Sequence, residues 1–313
     1  MKRNPVQFRK GLSLGEFMQH YGDEGKCFDA LFRLRWPTGF VCPNCGHDRS
    51  CHLNTRKLRQ RCRCKRRTSV TAGTIFDSSR LPLTVRFQAI YLLTRTKKGV
   101  SAMQLHRQLG IPCNAAWRMK HKLMQVMAER GERRRLSGLV QMDDAYLGGE
   151  RTGGRRGRGA AGKTPFVAAV QTSGEGHPQR IKLSVVKGFR KSEIARWAGR
   201  HLAPGSHAVS DGLACFDAVT QSGCTHEAIV SGGGRAAVEK PEFYWVNTVL
   251  GNLKTALRSS YHSFDAKYAQ RYLAEFEYRF NRRYSMPDMI PRLAYVALRT
   301  PPLPERLLKH GLC

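Results

Sequence analysis

Residues 138–149 read Gly-Leu-Val-Gln-Met-Asp-Asp-Ala-Tyr-Leu-Gly-Gly. Apolar residues flank two adjacent aspartates, Asp143 and Asp144, and a glycine pair closes the run, which is typical of a short central strand bounded by a turn. Neighbouring side chains of a strand point to opposite faces, so at least one carboxylate needs a cation, a hydrogen-bond network or water. We interpret the pair as a candidate metal site. The alternative is an aspartate pair that faces water at a strand end.

The composition predicts a polyanionic partner. The 313 residues include 54 Lys and Arg against 23 Asp and Glu, a formal net charge of +31, and 41% of the residues are hydrophobic. A chain this hydrophobic can fold, so the excess charge favours a polyanionic partner, with nucleic acid the leading candidate, rather than disorder. No run of about 18 apolar residues is present and the N-terminus has no apolar signal region, so we expect a cytoplasmic, nucleoid-associated protein without a membrane partner.

Clustered cysteines predict a structural zinc site. Cys42 and Cys45 are separated by two residues, and Cys62 and Cys64 follow with one residue between them. Four thiolates can close a tetrahedral zinc shell, and clustering without a secretory signal favours a metal over disulfides. Because the second pair is one residue short, either its knuckle is distorted or a neighbour replaces one ligand, the candidates being His47, Cys51 and His52. Unliganded thiols are the alternative.

Helical periodicity predicts two short packing helices over 12–36 and a longer helical region over 82–130. Within the second region, Ser101 is a candidate N-cap, and a Leu-Gly-Ile turn separates a short helix from a second one. That second helix bears Arg118, Lys120 and Lys122, so a helix-turn-helix that contacts DNA is predicted. A helical hairpin without DNA contact is the alternative.

The segment after the opening stretch is a basic loop followed by strands. Residues 151–163 are almost wholly Gly, Ala, Arg and Lys, which suits contact with phosphates; the candidates are Arg155, Arg156, Arg158 and Lys163. A solvated loop is the alternative. Residues 165–171 and 180–186 then predict two strands that complete a three-stranded meander with the Asp143 strand. A helix over 191–201 and a short strand ending at Asp211 follow.

A third candidate ligand stands on a predicted helix. Asn247 and Lys254 are seven residues apart, nearly two helical turns, so they share a face, whereas Asn252 points away. Asp143 and Asp211 invite a third ligand, and the helix geometry favours Asn247, with Lys254 beside it, as the functional pair. A solvated helix lysine is the alternative for Lys254. Glu275 and Glu277 are fallback candidates for a third carboxylate, ranked below Asn247, and Asp144 ranks below Asp143.

The chain resembles DDE-type transposases of insertion sequences that carry an N-terminal zinc ribbon. The resemblance covers nearly the whole chain, and the residues that carry it are 35–46, 68–76, 143–149, 210–212 and 272–283. It implies an α+β or α/β multidomain fold, with an N-terminal zinc ribbon and a helical, helix-turn-helix-like region before a ribonuclease H-like mixed-sheet catalytic domain. The implied boundaries are 1–80 for N-terminal helices and ribbon, 81–137 for the helical region, 138–285 for the catalytic domain and 286–313 for a C-terminal tail.

The resemblance also implies a reaction. Asp143 and Asp211 match the family's first two aspartates, Asn247 falls where a glutamate is usual, and Lys254 matches the basic residue that follows. A subgroup of these transposases is similar in having asparagine at that position. The implied function is binding of terminal inverted repeats and metal-dependent DNA cleavage and strand transfer, by at least a dimer on DNA. The alternative is an inactive, transposase-derived DNA-binding protein that has lost catalysis through Asn247.

Overall fold

The structure is a computed structural model that describes residues 10–42, 45–53, 58–61, 64–65, 67–132, 134–148, 162–230, 240–261 and 263–310. Cys62, Arg155, Arg156 and Arg158 lie outside these ranges, as does most of the predicted basic loop. Within the part of the chain that is described, no helix is both long enough and apolar enough to cross a membrane.

Two short helices and a small sheet open the chain. The helices are α1 (Leu14–Tyr21) and α2 (Glu24–Arg35), as predicted for 12–36, and each starts at a side-chain cap, Ser13 and Asp23 respectively. An antiparallel sheet of order β1-β2-β3 follows, formed by β1 (Ser50–Leu53), β2 (Leu58–Arg61) and β3 (Arg67–Ser69).

Three helices form the middle of the chain, namely α3 (Leu83–Arg95), α4 (Ala102–Leu109) and α5 (Cys113–Glu132). The predicted N-cap is confirmed, because the Ser101 Oγ accepts a hydrogen bond from the Gln104 backbone N–H at 3.1 Å and the Gln104 side chain accepts one from Ser101 N–H at 2.8 Å. Gly110 ends α4 with φ +62°, a left-handed conformation that residues other than glycine rarely adopt. The glycine at this position therefore determines the turn into α5.

A five-stranded mixed sheet forms the second half. Its strands are β4 (Leu139–Leu147), β5 (Thr164–Thr172), β6 (Pro178–Val185), β7 (His207–Ser210) and β8 (Thr225–Ala228). The order is β6-β5-β4-β7-β8; β4, β5 and β6 form the predicted antiparallel meander, while β7 and β8 run parallel to β4. The predicted helix after the meander is α6 (Lys191–His201), and a 3₁₀ helix (Ala214–Ser222) joins β7 to β8.

Helices cover both faces of this sheet. Alternate residues of β4 separate cleanly: Val140 and Met142 pack with α6 and the 3₁₀ helix, whereas Ala145 and Leu147 pack with α7 (Tyr244–Ser260) and α8 (Ala269–Phe280). Aromatic residues of α8 are part of the core, with Tyr272, Phe276 and Phe280 buried in the second of these layers.

The C-terminal segment is not a tail. It forms α9 (Met289–Ala297) and α10 (Glu305–His310), and Ile290 and Leu293 are buried in one core with α1 to α5. The expected tail at 286–313 therefore has to be corrected over its described part. The apolar residues of α9 find their partners in helices near the start of the chain, and no local pattern reveals that pairing.

Candidate active site and cysteine cluster

Three aspartates meet where β7 ends beside the middle of the adjacent parallel strand β4. One carboxylate oxygen from each of Asp143, Asp144 and Asp211 lies within 4.8 Å of the others. The cause is the register of β4 and β7, which pairs Gln141 with Val209; continuing it by two residues brings Asp211 level with Asp143. Because β7 ends at Ser210 while β4 runs on to Leu147, the three side chains lie where the sheet opens.

The two adjacent aspartates start from opposite faces of β4. Asp143 shares its face with Ala145 and therefore with α7, and Asp144 shares the face of Met142. Both are half-buried, and both reach Asp211 because the neighbouring strand has ended. Asp144, ranked second from the sequence, thus belongs to the same carboxylate group as Asp143.

The end of β7 is held by a side-chain relay. The fully buried Ser210 hydroxyl lies 2.9 Å from Nε2 of His226, whose Nδ1 lies 3.3 Å from an Asp217 carboxylate oxygen. Burial lowers the pKa of His226, and Asp217 opposes that shift. Next to this relay, the Asp211 carboxylate accepts a hydrogen bond from Leu213 N–H at 3.2 Å, so the backbone that carries Asp211 is fixed on both sides.

A buried glutamine ties α7 to this strand. Oε1 of Gln141 accepts hydrogen bonds from the backbone N–H groups of Trp245 at 3.0 Å and Val246 at 3.2 Å, and its Nε2 donates to the Pro241 carbonyl at 3.3 Å. Gln141 precedes Asp143 by two residues on the same face of β4. The start of α7, and with it Asn247, is thereby tied to the strand that carries Asp143.

On α7 the predicted pair occupies one face. Asn247 is half-buried one residue after Val246, and Lys254 is exposed two turns further on. The helix itself is confirmed, whereas the roles of the two side chains remain predictions. Sequence reasoning missed Gln141 and the Ser210–His226 contact. A polar residue inside the apolar run 139–142 is the one signal that points to Gln141.

The N-terminal thiols also cluster. Cys42, Cys45 and Cys64 each place a sulfur within 4.8 Å of the others, with Sγ–Sγ distances of 3.1 Å for Cys42–Cys45 and 4.0 Å for Cys42–Cys64. Sulfur atoms that share a tetrahedral zinc are about 3.8 Å apart for Zn–S bonds of about 2.3 Å. The Cys42 Sγ also accepts a hydrogen bond from Cys45 N–H at 3.1 Å. The donor set therefore fits zinc.

Two of the four candidates for the remaining zinc ligand lie outside the sulfur cluster. In the described part of the chain, the cluster includes neither His47, whose Nδ1 lies 3.1 Å from an Asp48 carboxylate oxygen, nor the exposed Cys51. The two remaining candidates from the sequence are Cys62 and His52; Cys62 and the His52 side chain lie outside what the structure describes.

The three basic residues of α5 do not share a face. Arg118 is exposed and Lys122 is half-buried, one turn apart on the side that faces an open groove of about 640 Å³. Lys120 points the other way and is 1% exposed, with Nζ 3.5 Å from a Glu275 carboxylate oxygen. The prediction of Lys120 as a DNA contact is therefore wrong for this fold. Residues two apart on a helix differ by about 200° in direction.

Lys163 lies at the same end of the sheet as the aspartates. It precedes β5, whose first residue, Thr164, pairs with Leu147 of β4. Gly148 packs beside it, since a Cβ at that glycine would lie 3.6 Å from Lys163 Cγ. Lys163 is thus the one basic residue of the predicted phosphate-binding loop that lies in the described part of the chain.

The two fallback glutamates are structural. Glu275 binds Arg279 at 2.5 Å as well as Lys120, and Glu277 binds Lys182 at 3.0 Å and accepts a hydrogen bond from Leu183 N–H. Both are buried inside the α5–α8–β6 packing, and neither belongs to the aspartate group. Their use as substitutes for a third catalytic carboxylate is excluded by these contacts.

Comparison with known proteins agrees with this arrangement. Residues 135–281 match the ISXO2-like transposase domain, and residues 22–67 match a transposase zinc-ribbon domain. The chain thus carries a transposase zinc-ribbon domain followed by an ISXO2-like transposase domain. An uncharacterized protein in transposable element ISH50 of Halobacterium salinarum is 25% identical over 230 residues, which cover 67% of this chain and 75% of that relative. The predicted fold class, a zinc ribbon followed by a ribonuclease H-like α/β domain, is confirmed.

Proposed function

We propose that this transposase binds double-stranded DNA at the ends of its element and catalyses metal-dependent cleavage and strand transfer. The observation that carries the proposal is the meeting of Asp143, Asp144 and Asp211 within 4.8 Å just beyond the end of β7, beside the adjacent parallel strand β4. Three carboxylates this close repel one another, so a bound cation would stabilise the arrangement.

The donor set suits Mg²⁺ or Mn²⁺. Carboxylate oxygens and a side-chain amide oxygen are hard ligands of the kind that these ions prefer, and here Asp143, Asp211 and Asn247 would supply them. When bound, two such ions would relieve negative charge on the attacking and leaving oxygens of an in-line phosphoryl transfer. Asn247 brings no charge, so we expect weaker metal binding than a carboxylate would give, relieved in part by Asp144 or by substrate phosphates.

The other residues would orient the DNA. Lys254 is exposed on the Asn247 face of α7 and can meet the scissile or an adjacent phosphate as a point charge. Lys163 lies at the same end of the sheet and can hold a neighbouring phosphate, together with Arg155, Arg156 and Arg158 of the basic loop. In the N-terminal half, Arg118 and Lys122 are the candidates for contacts to the terminal repeats.

The cysteine cluster would hold one structural Zn²⁺. Cys42, Cys45 and Cys64 fit three positions of its shell, and we assign the fourth to Cys62. Thiolate ligation would hold together a segment whose only regular structure in its described part is a three-stranded sheet of short strands. Joining two ends requires two catalytic sites, so we expect at least a dimer on DNA, acting in the cytoplasm at the nucleoid.

The deciding experiment is strand transfer on oligonucleotides that carry the element's ends, with Mg²⁺ or Mn²⁺. Wild type is compared with Asp143→Asn, Asp211→Asn, Asn247→Ala and the control Asp265→Asn, whose carboxylate pairs with Lys267 away from the aspartate group. We expect the first three variants to lose joining by at least about a hundredfold, and the control to retain it. Tight end binding by the wild type without joining under either metal would instead support the inactive DNA-binding alternative.

A further inference from the structure

A strongly basic site lies away from the aspartates. A cavity of about 50 Å³ opens between the end of α5, the start of β6, the end of α8 and α9. Five arginines line it, and we call this site the arginine pocket; they are Arg130, Arg134, Arg180, Arg282 and Arg292. The volume suits a few water molecules or one small oxyanion rather than a nucleobase.

The charges of the pocket are poorly balanced. Glu277 is the one carboxylate among its described lining residues, and it is already paired with Lys182 at 3.0 Å. Burial lowers the pKa of Arg282, and the neighbouring charges of Arg134, Arg130 and Arg292 lower it further. Like charges held this close destabilise the folded protein unless an anion lies between them.

The pocket is built by the motif at the end of α8. Asn281 donates to the Ile181 carbonyl at 2.9 Å and accepts from Ile181 N–H at 2.7 Å, so it pins the edge of β6 beside Arg180. Arg283, fully buried, donates to the Gln179 and Pro178 carbonyls one step along the same edge. These two residues therefore set the position of Arg180 relative to α8.

Between them, Arg282 turns toward the pocket. Its guanidinium lies 3.8 Å from the centre of the Tyr278 ring and donates to the Tyr278 carbonyl at 3.3 Å. Its Nε is buried, and within the described residues no protein atom accepts a hydrogen bond from it. A buried N–H without an acceptor costs free energy, which an oxyanion in the pocket would recover. At the end of the 272–283 motif, Asn281 and Arg283 thus bind the edge of β6, while Arg282 between them lines the pocket.

We propose that the arginine pocket binds one backbone phosphate of double-stranded DNA outside the catalytic cleft. Planar guanidinium groups match phosphate oxygens in pairs, and the pocket offers arginines rather than free lysines. Arg180 of β6 pairs with Gln171 of β5, which in turn pairs with Val140 of β4. Arg180 is therefore two strands away from β4 and level with a residue three positions before Asp143, so the two backbones are about 14 Å apart in the plane of the sheet. One phosphate cannot fill both places. The choice of DNA rests on the proposed function, whereas the phosphate chemistry does not.

The first arm of the test measures thermal unfolding in phosphate and in chloride at equal ionic strength, in both cases without added Mg²⁺ or Mn²⁺. Wild type is compared with the double variant Arg134→Gln/Arg180→Gln, which changes two exposed pocket arginines, and with the control Arg196→Gln/Arg200→Gln. The control removes the same charge from α6 on the opposite face of the sheet. We expect phosphate to raise the Tm of wild type and control, and phosphate affinity to fall about tenfold or more in the pocket variant. In chloride the pocket variant should be at least as stable as wild type, because repulsion is relieved.

The second arm measures binding to duplex DNA over a range of salt concentrations, again without added Mg²⁺ or Mn²⁺. Losing one phosphate contact should make the slope of log K against log salt shallower by about 0.9 in the pocket variant relative to the control. If phosphate raises the Tm of all three proteins equally, the proposal that the arginine pocket binds phosphate is wrong. Loss of the phosphate effect with equal DNA slopes overturns the DNA assignment and leaves a free-anion site. Neither arm needs catalysis, so a protein that passes both but never joins ends refutes the proposed activity and keeps the pocket.

Discussion

Oε1 of Gln141 accepts a hydrogen bond from the Trp245 backbone N–H at 3.0 Å, across 104 residues of sequence. The first N–H groups of a helix lack partners within the helix, and α7 has no side-chain cap of its own at Phe243. Gln141 supplies that cap from β4. The strand that bears Asp143 and the helix that bears Asn247 are therefore joined by a neutral, buried contact that does not depend on metal.

Replacing Gln141 by leucine should disturb the candidate metal site. We expect Gln141→Leu to lose about 1–3 kcal/mol of stability, because two N–H groups become unsatisfied, and to weaken Mn²⁺ binding and strand transfer about tenfold. Mn²⁺ affinity measured by electron paramagnetic resonance checks this without catalysis. The matched control is Gln125→Leu, since Gln125 is similarly buried but bonds Arg271 at 3.0 Å. Equal loss of Mn²⁺ affinity in both variants would contradict a specific role of Gln141.

The fourth zinc ligand can be identified by substitution. We expect Cys62→Ser to lose zinc and Cys51→Ser to retain one zinc per chain, because Cys51 is exposed and outside the sulfur cluster. Metal content, and the thiolate charge-transfer bands after replacement of zinc by Co²⁺, would check both variants. Full zinc content in Cys62→Ser would instead move the assignment to His52.

A carboxylate of the C-terminal segment would compete with DNA for Arg118 of α5. Arg118 Nη1 lies 2.9 Å from a carboxylate oxygen of Glu305 in α10, both side chains being exposed. Glu305→Gln should release Arg118 and strengthen binding to terminal-repeat DNA by about twofold to fivefold at low salt, with the gain fading at high salt. Fluorescence anisotropy would measure it, with Glu175→Gln as the control because Glu175 is another exposed carboxylate, 3.8 Å from the His177 ring, in a turn remote from Arg118. An unchanged affinity would mean that Arg118 does not contact DNA.

Acid should destabilise the helical core through His121. Burial lowers the pKa of His121 to about 3, and the charges of Arg271 and Lys120 act in the same direction. Between pH 6.5 and 3 the unfolded chain binds a proton at this residue while the folded protein does not, so the free energy of unfolding falls by about 1.4 kcal/mol per pH unit as the pH drops.

His121→Phe should remove this contribution while keeping the stacking on Trp117, whose ring centre lies 4.1 Å away. Urea unfolding at pH 7, 6 and 5 measures the slopes, and we expect the variant to lose less stability than wild type on acidification. His177→Phe, at an exposed turn, is the control. Parallel pH profiles for wild type and His121→Phe would show that His121 is not held neutral.

The amino-acid sequence was sufficient for every element whose signal is local. Ser101 as a cap, the turn at Gly110, the helix over 191–201 and the strand meander follow from neighbouring residues, and each is confirmed. The candidate aspartates and the cysteine spacing also follow from sequence, because carboxylates in an apolar strand and closely spaced thiols are recognisable as potential metal ligands without the fold. The helical period places Lys120 on the opposite side of α5 from Arg118 and Lys122. The prediction of Lys120 as a DNA contact was wrong because it used the charge of the residue and ignored the side of the helix on which it lies.

Only the tertiary structure decided which distant surfaces meet. Asp143 and Asp144 both come close to Asp211 because β7 ends at Ser210, beside them. Gln141 caps a helix about a hundred residues further along the chain. Apolar residues of α9 complete a core that includes α1. Arg282 likewise faces other arginines that come from four separate elements or links. Such pairings depend on burying apolar area and satisfying backbone groups across the whole chain, and those free energies belong to the packed fold rather than to any short segment.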